Sequence, residues 1–345
     1  MFTCGTMLRA PLFDPTATDD DIKLWNGKTT NLMLLDRPNF QWALQIYNQM
    51  REFFWIPQRT DLTGDINDYR NLMNGEQRAY NGILGYLIYL DSVQEAMLPS
   101  FGEVMTAPAV RHCVQEQCFF EGIHSESYKY VVEALLPIEE RDKIYDFWRT
   151  DKILGERCEN ILAYYQKYLD TRSDEDYFYA LYADYLLEGL YFYNGFTAFY
   201  VLSTRNLMGG TADIIKQINR DERLHVLLFQ KILIEAKNNF TFSEEKVLEM
   251  TANAVTQEVR WANHIIGQDF LGITENSIKQ YTEYLADLRL RAIGLPTIYG
   301  EKNNPYKHLE KVADLGSEAG TKANFFEAQV TSYNMSSAVH GWDDF

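Results

Sequence analysis

The chain has 345 residues, with 49 Asp and Glu against 32 Lys and Arg, for a formal net charge of −17. A 46% hydrophobic content excludes a disordered chain, and the acidic balance argues against nucleic acid or an anionic membrane surface as partner. No run reaches the ~18 uninterrupted apolar residues of a membrane span, the N-terminus MFTCGTMLRAPLFDP lacks a basic-then-apolar leader, and four cysteines without a zinc spacing read as reduced thiols, so the expected location is cytoplasmic.

Residues 1–39 read as an N-terminal extension. Helices are then expected at 40–54, 75–97, 107–135, 139–170, 174–206, 212–237, 244–266 and 275–293. Their start signals are Asn74 with Gln77, Thr106 two residues before Pro108, Ser173 before Asp174-Glu175-Asp176, Thr211 after Gly209-Gly210, and Ser243-Glu244-Glu245. Between Pro137 and Pro296 lie 158 residues without a proline, a pattern that suits long helices and not short strands and turns. Alternation of apolar and polar residues is nowhere sustained, so no sheet is expected. Ile83, Leu84, Tyr86, Leu87, Ile88, Tyr89 and Leu90 cover more than one helix face, as in a helix surrounded by others. The expected fold is therefore all-α: one helical bundle over 40–295, followed by a C-terminal segment, 296–345, ending in a flexible tail, SYNMSSAVHGWDDF.

Ionisable groups inside such helices cost several kcal/mol unless they are paired or bind a metal. Asp91 ends the run GYLIYLD, Glu121 and His124 lie in CFFEGIHSESY, Glu188 lies in YLLEGLYFY, and Glu222 and His225 lie in INRDERLHVLLF. Each Glu-x-x-His pair puts a carboxylate and an imidazole one turn apart on one helix face. With six histidines and 49 acids in 345 residues, about one such pair arises by chance (6 × 49/345), so the pairs alone are weak. Their setting is stronger, because each follows a helix with a lone carboxylate among apolar residues. The order carboxylate, Glu-x-x-His, carboxylate, Glu-x-x-His is that of dinuclear carboxylate sites in ferritin-like bundles, and four carboxylates with two imidazoles suit two divalent iron or manganese ions.

The segments YLDSVQ, FFEGIHSESY, LLEGLYFYNGF and INRDERLH, with FFW at 53–55, NFFEAQVTSY at 324–333 and the terminal WDDF, resemble the small (β), radical-generating subunit of class I ribonucleotide reductase over nearly the whole chain. The resemblance implies that Asp91, Glu121, His124, Glu188, Glu222 and His225 are the metal ligands and that Tyr128 carries a tyrosyl radical. Tyr128 is four residues after His124, on the same face and ~6 Å along the axis. The resemblance further implies an apolar pocket of Phe192, Phe196 and Ile218 around the radical. It implies an exit route from Trp55 through Asp221 to His124, and a last relay at Tyr333. Asp221 precedes Glu222 and so projects about 100° around the helix from it. Gln117, one turn before Glu121, departs from members with tryptophan there.

The implied activity is ribonucleoside-diphosphate reduction. Two iron ions activate oxygen, with Mn/Mn or Mn/Fe as alternatives, and oxidise Tyr128, whose radical passes to the large (α) catalytic subunit. The tail, with Trp342 and Phe345 flanking Asp343-Asp344, is the expected docking peptide. A homodimer is expected, as is a reductase or flavoprotein activator. The competing expectation is a ferritin-like dimetal oxidase acting on a small organic substrate, which would have no use for Tyr333 or the tail.

Overall fold

The computed structural model describes residues 5–18, 22–36, 39–267 and 269–309. Those residues form helices α1 (Gln41–Glu52), α2 (Thr63–Asn71), α3 (Asn74–Gly102), α4 (Pro108–Leu135), α5 (Ile138–Tyr145), α6 (Phe147–Thr150) and α7 (Lys152–Thr171), followed by α8 (Asp174–Leu186), α9 (Tyr193–Thr204), α10 (Gly209–Asn239), α11 (Glu244–Ile265) and α12 (Glu275–Ala292). No strand occurs among them, only isolated bridges at Thr6 with Ser173 and Trp25 with Met105. The all-α expectation holds, and no described helix is long and apolar enough to cross a membrane.

Where start signals were strong, the boundaries agree. Ser173 Oγ accepts from the Asp176 N–H at 3.1 Å and Ser243 Oγ from Lys246 N–H at 3.2 Å, each capping its helix. Three expectations are corrected. The helix read over 139–170 is three, because Asp151 is in extended conformation and caps α7 by accepting from Leu154 N–H at 2.9 Å. The helix read over 75–97 runs on to Gly102: Pro99 sits in its last turn, and the Glu95 C=O that lacks a helical donor there accepts from Cys118 Sγ at 3.4 Å.

The third correction is α2, which no periodicity announced. Its nine residues are mostly polar, and it is held by what it does for α10. Asp65 accepts from Gly210 N–H at 2.9 Å and Thr211 N–H at 2.6 Å, and Asp68 accepts from Met208 N–H at 2.9 Å. The first turn of α10 thus draws its cap from another helix.

A five-residue connection returns the chain from α3 to α4, which pack side by side; α8, α9 and α10 complete the surround. The interior between them is unusually rich in tyrosine. Each buried ring brings apolar area together with a hydroxyl that needs a partner: Tyr182 bonds Thr251 at 2.5 Å, Tyr177 donates to Phe101 C=O at 3.0 Å and Tyr185 to Arg289 C=O at 3.2 Å. Arg157, 1% exposed, is paired with buried Glu258 at 2.5 Å and stacks 4.5 Å over Tyr86. Cys113, Cys118 and Cys158 are free thiols, in line with the reduced reading.

Candidate metal centre

Long helices bring the six singled-out ligand candidates to one place. Asp91 comes from α3, Glu121 and His124 from α4, Glu222 and His225 from α10, all fully buried. Glu188 lies between α8 and α9 in a widened turn, Leu187–Tyr191, where the helix takes an extra residue per hydrogen-bonded ring. Such a turn leaves carbonyls without helical donors, and side chains cover them. Tyr86 Oη and Arg157 Nη2 each donate to Tyr191 C=O at 2.8 Å, and Arg289 Nε donates to Gly189 C=O at 3.0 Å. A Cβ at position 189 would lie 2.7 Å from Arg289 Nε, so glycine is needed beside Glu188 for this approach.

Two overlapping quartets result: Asp91, Glu121, His124 and Glu222, and Glu121, Glu188, Glu222 and His225, each with donor atoms within 4.8 Å of one another. His124 Nδ1 is 3.1 Å from Glu222 Oε1, 3.4 Å from Glu121 Oε2 and 3.9 Å from Asp91 Oδ2. His225 Nδ1 is 3.0 Å from both Glu121 Oε1 and Glu222 Oε2, and 3.7 Å from Glu188 Oε2. Glu121 and Glu222 are common to both quartets.

The electrostatics are those of a cluster short of positive charge. Burial pushes the Asp91 and Glu188 carboxyls well above the usual carboxylate range, and neighbouring carboxylates push the same way. Burial opposes a charge on His124 and His225 too, but surrounding carboxylates outweigh it and hold both imidazoles well above their ordinary range. Glu222 goes the other way. Burial would raise it, but hydrogen bonding to Glu188 and the two imidazoles hold it well below its usual value.

The donor set fits two divalent cations. Both oxygens of Asp91 and one oxygen each of Glu121, Glu188 and Glu222 are buried without a hydrogen-bond partner among the described residues, as is His124 Nδ1. In a native interior such orphaned atoms are rare. Opposite ligands of an ion bound at ~2.1 Å stand about 4.2 Å apart, so donors within 4.8 Å can close on one ion with little movement. Four carboxylates also balance the charge of two divalent ions.

Around the quartets, the other singled-out residues fall as follows. Tyr128 is buried, and its hydroxyl has no hydrogen-bond partner among the described residues. Burial first, and the Asp91 charge second, push its phenol well above the ordinary range. Phe192, Phe196 and Ile218 are all buried. Trp55 Nε1–H donates to Asp221 Oδ2 at 2.7 Å, and the same oxygen is 3.3 Å from His124 Nε2. With Nδ1 facing the cluster, Nε2 carries the proton and donates to Asp221. Arg220 reaches the other oxygen, Asp221 Oδ1, at 3.2 Å, so an ion pair and the Trp55 bond share one carboxylate. Gln117 donates to Glu188 Oε1 at 2.7 Å. Tyr333, Trp342, Asp343, Asp344 and Phe345 lie outside the described residues.

Sequence reasoning passed over Gln94, Asp184 and Tyr165. Gln94 Nε2 donates to Glu188 Oε1 at 2.8 Å and to Asp184 Oδ1 at 2.5 Å, and Tyr165 Oη reaches Gln94 Oε1 at 2.7 Å. Gln94 is three residues after Asp91 and Asp184 four before Glu188, so helical spacing could have found both; nothing in the sequence places Tyr165 beside them.

The ribonucleotide reductase small-chain family model matches residues 33–305. The ribonucleoside-diphosphate reductase subunit beta of Treponema pallidum is 35% identical over 323 residues, 92% of each chain. Among solved structures, the ribonucleotide reductase R2 subunit from Clostridium botulinum superimposes with a TM-score of 0.87 at 36% identity, covering 90% of this chain and 100% of that one. The Streptococcus sanguinis dimanganese(II)-NrdF shares the fold with a TM-score of 0.69 at 22% identity, over 78% of this chain and 94% of that one.

Proposed function

The chain belongs to the ribonucleotide reductase small-chain family, an oxidoreductase family, and from that premise we propose that it generates and exports a tyrosyl radical for ribonucleotide reduction. The observation that carries this reading is the pair of buried quartets sharing Glu121 and Glu222, one helical turn from a buried tyrosine on the same face of α4. Asp91, Glu121, His124 and Glu222 would hold one ion, and Glu121, Glu188, Glu222 and His225 the other. Two redox-active ions bound there would supply the oxidising equivalent by activating oxygen. We assign two iron ions, with Mn/Mn or Mn/Fe distinguished by metal analysis of protein from its own cell.

The residues of the chain do the rest. Asp221 orients His124 by accepting its Nε2–H, which fixes the tautomer that leaves Nδ1 free for the metal. Tyr128 would pass one electron and its phenolic proton to the loaded centre, and the dry surroundings would keep water and stray reductants from the resulting neutral radical. Trp55, bonded to the Asp221 carboxylate at 2.7 Å, is linked to the centre through one side chain and is the first residue of the outward route. Tyr333 would be the last relay in this chain. The terminal segment with Trp342 and Phe345 would dock on a large catalytic subunit, where ribonucleotides are reduced, and the working form would be a homodimer. A reductase or flavoprotein would supply reducing equivalents for activation.

The test is anaerobic loading with ferrous iron followed by air. A tyrosyl EPR signal is expected in the natural chain and not at the same position in Tyr128→Phe. Absence of any protein radical in the natural chain, after iron and after manganese with a superoxide-supplying flavoprotein, would sink the proposal.

A further inference from the structure

Tyr165, on α7, is buried beside the Glu188 quartet. Its hydroxyl lies 2.7 Å from Gln94 Oε1 and 3.1 Å from Asp184 Oδ1, while Gln94 Nε2 donates to Asp184 at 2.5 Å and to Glu188 Oε1 at 2.8 Å. One amide therefore separates this phenol from a ligand candidate. Gln94 and Asp184 are fully buried, and Asp184 Oδ2 has no partner among the described residues. Asp184 Oδ1 accepts from two neutral donors, Gln94 and Tyr165, and a neutral acceptor would serve both without desolvating a charge.

Tyr128 and Tyr165 differ in a way that bears on oxidation. A phenol that loses an electron becomes a strong acid and must shed its proton. Tyr128 has no hydrogen-bond acceptor among the described residues, whereas Tyr165 has a carboxylate oxygen within reach. Burial holds the Asp184 carboxyl above its ordinary range. Once cations occupy the neighbouring carboxylates, their charge favours the ionised form of Asp184 and leaves Oδ1 free to accept a proton.

We infer that Tyr165 is a second oxidisable tyrosine of this chain, an electron donor to the dimetal centre from the Glu188 side, with Asp184 as its proton acceptor. Tyr165 passes one electron to the oxidised centre, whose oxidation level falls by one. The phenolic O–H bond breaks and an O–H bond forms at Asp184 Oδ1, leaving a neutral phenoxyl radical beside a neutral carboxyl. Return of the electron reverses both transfers. Gln94 is the positioning residue that couples the pair to Glu188. This assignment rests on the dimetal reading above, which supplies the oxidant.

Freeze-quench EPR of the full chain, loaded with ferrous iron and mixed with oxygen, tests it. Tyr128→Phe is expected to show a transient tyrosyl signal that narrows when tyrosine rings are deuterated. Adding Tyr165→Phe removes that signal. Adding Asp184→Asn instead, a nearly isosteric change, slows its appearance by about a hundredfold, the scale of losing a positioned proton acceptor. Metal content and melting temperature, measured in parallel, show that each variant is folded and loaded. A radical in the natural chain but none in Tyr128→Phe overturns this inference alone, as does a signal that Tyr165→Phe leaves undiminished. No radical in either protein overturns the dimetal reading and this inference together.

Discussion

At the scale of single residues, the candidate site depends on groups that make sense only as a set. Asp221 accepts from Trp55 and faces His124 Nε2, so one carboxylate serves both a ligand candidate and the first residue of the proposed outward route. Replacing it with alanine removes the bond that orients His124, and metal affinity is expected to fall about 10–100-fold, read by competition with a chelator. Asp221→Asn keeps the shape and one acceptor oxygen, so its affinity should fall less than that of the alanine variant. Trp55→Phe should leave metal content and the Tyr128 radical intact while abolishing turnover with the large subunit. Gly189→Ala puts a methyl group 2.7 Å from Arg289 Nε and displaces the turn that carries Glu188. A loss of about 1–3 kcal/mol in denaturant unfolding is expected, with reduced occupancy of the second ion.

At the scale of elements, helix starts were legible where a cap residue and an apolar run coincided, as at Ser173 for α8 and Ser243 for α11. They were illegible where the stabilising partner lies elsewhere in the chain. Helix α2 shows no amphipathic stripe because its role is polar. Asp65 and Asp68 cap α10, 140 or more residues away, and no local pattern records that bond. Asp65→Ala should therefore cost about 2 kcal/mol of stability, at the upper end for a lost helix cap, while leaving the Tyr128 radical in whatever protein remains folded. Parallel denaturant curves and EPR would check both halves. The widened turn at Leu187–Tyr191 was hidden for a related reason. The sequence 174–206 reads as one unbroken helix, and only the donors from Tyr86, Arg157 and Arg289 make the extra residue tolerable.

At the scale of the whole molecule, the metal-free cluster predicts a pH dependence. His124 and His225 are held above their ordinary imidazole range by surrounding carboxylates, and burial holds Asp91 and Glu188 above theirs. Groups whose folded values are raised bind protons more tightly folded than unfolded. Their stabilisation is full below the unfolded values and is lost as pH rises through the folded ones. Glu222 has the opposite sign, and its stabilisation is lost only as pH falls below about 4.5, its ordinary value. The metal-free protein should accordingly melt at lower temperature as pH rises above about 6.5, the unperturbed imidazole value. Loaded protein should show a flatter profile, since cations replace the shared protons. A melting series at several pH values, with and without metal, checks this. Removing residues 325–345 should leave the radical intact and eliminate turnover with the large subunit.

The sequence by itself determined that this chain is an all-helical bundle with buried carboxylates and imidazoles in a repeated order. Both facts are local: helical period and capping are properties of neighbouring residues, and Glu-x-x-His is a spacing along one turn. Only the tertiary structure decided that the two pairs share Glu121 and Glu222 in overlapping quartets, that Asp221 bonds Trp55 while facing His124, and that Gln94, Asp184 and Tyr165 form a network on Glu188. Those contacts join residues tens to more than a hundred positions apart, and their chemistry comes from the dry interior that closes only when the helices pack. The acidity met at the outset is divided in the same way. Most of the 49 acids are ordinary in the sequence, and packing alone makes four of them a charge that two cations would balance.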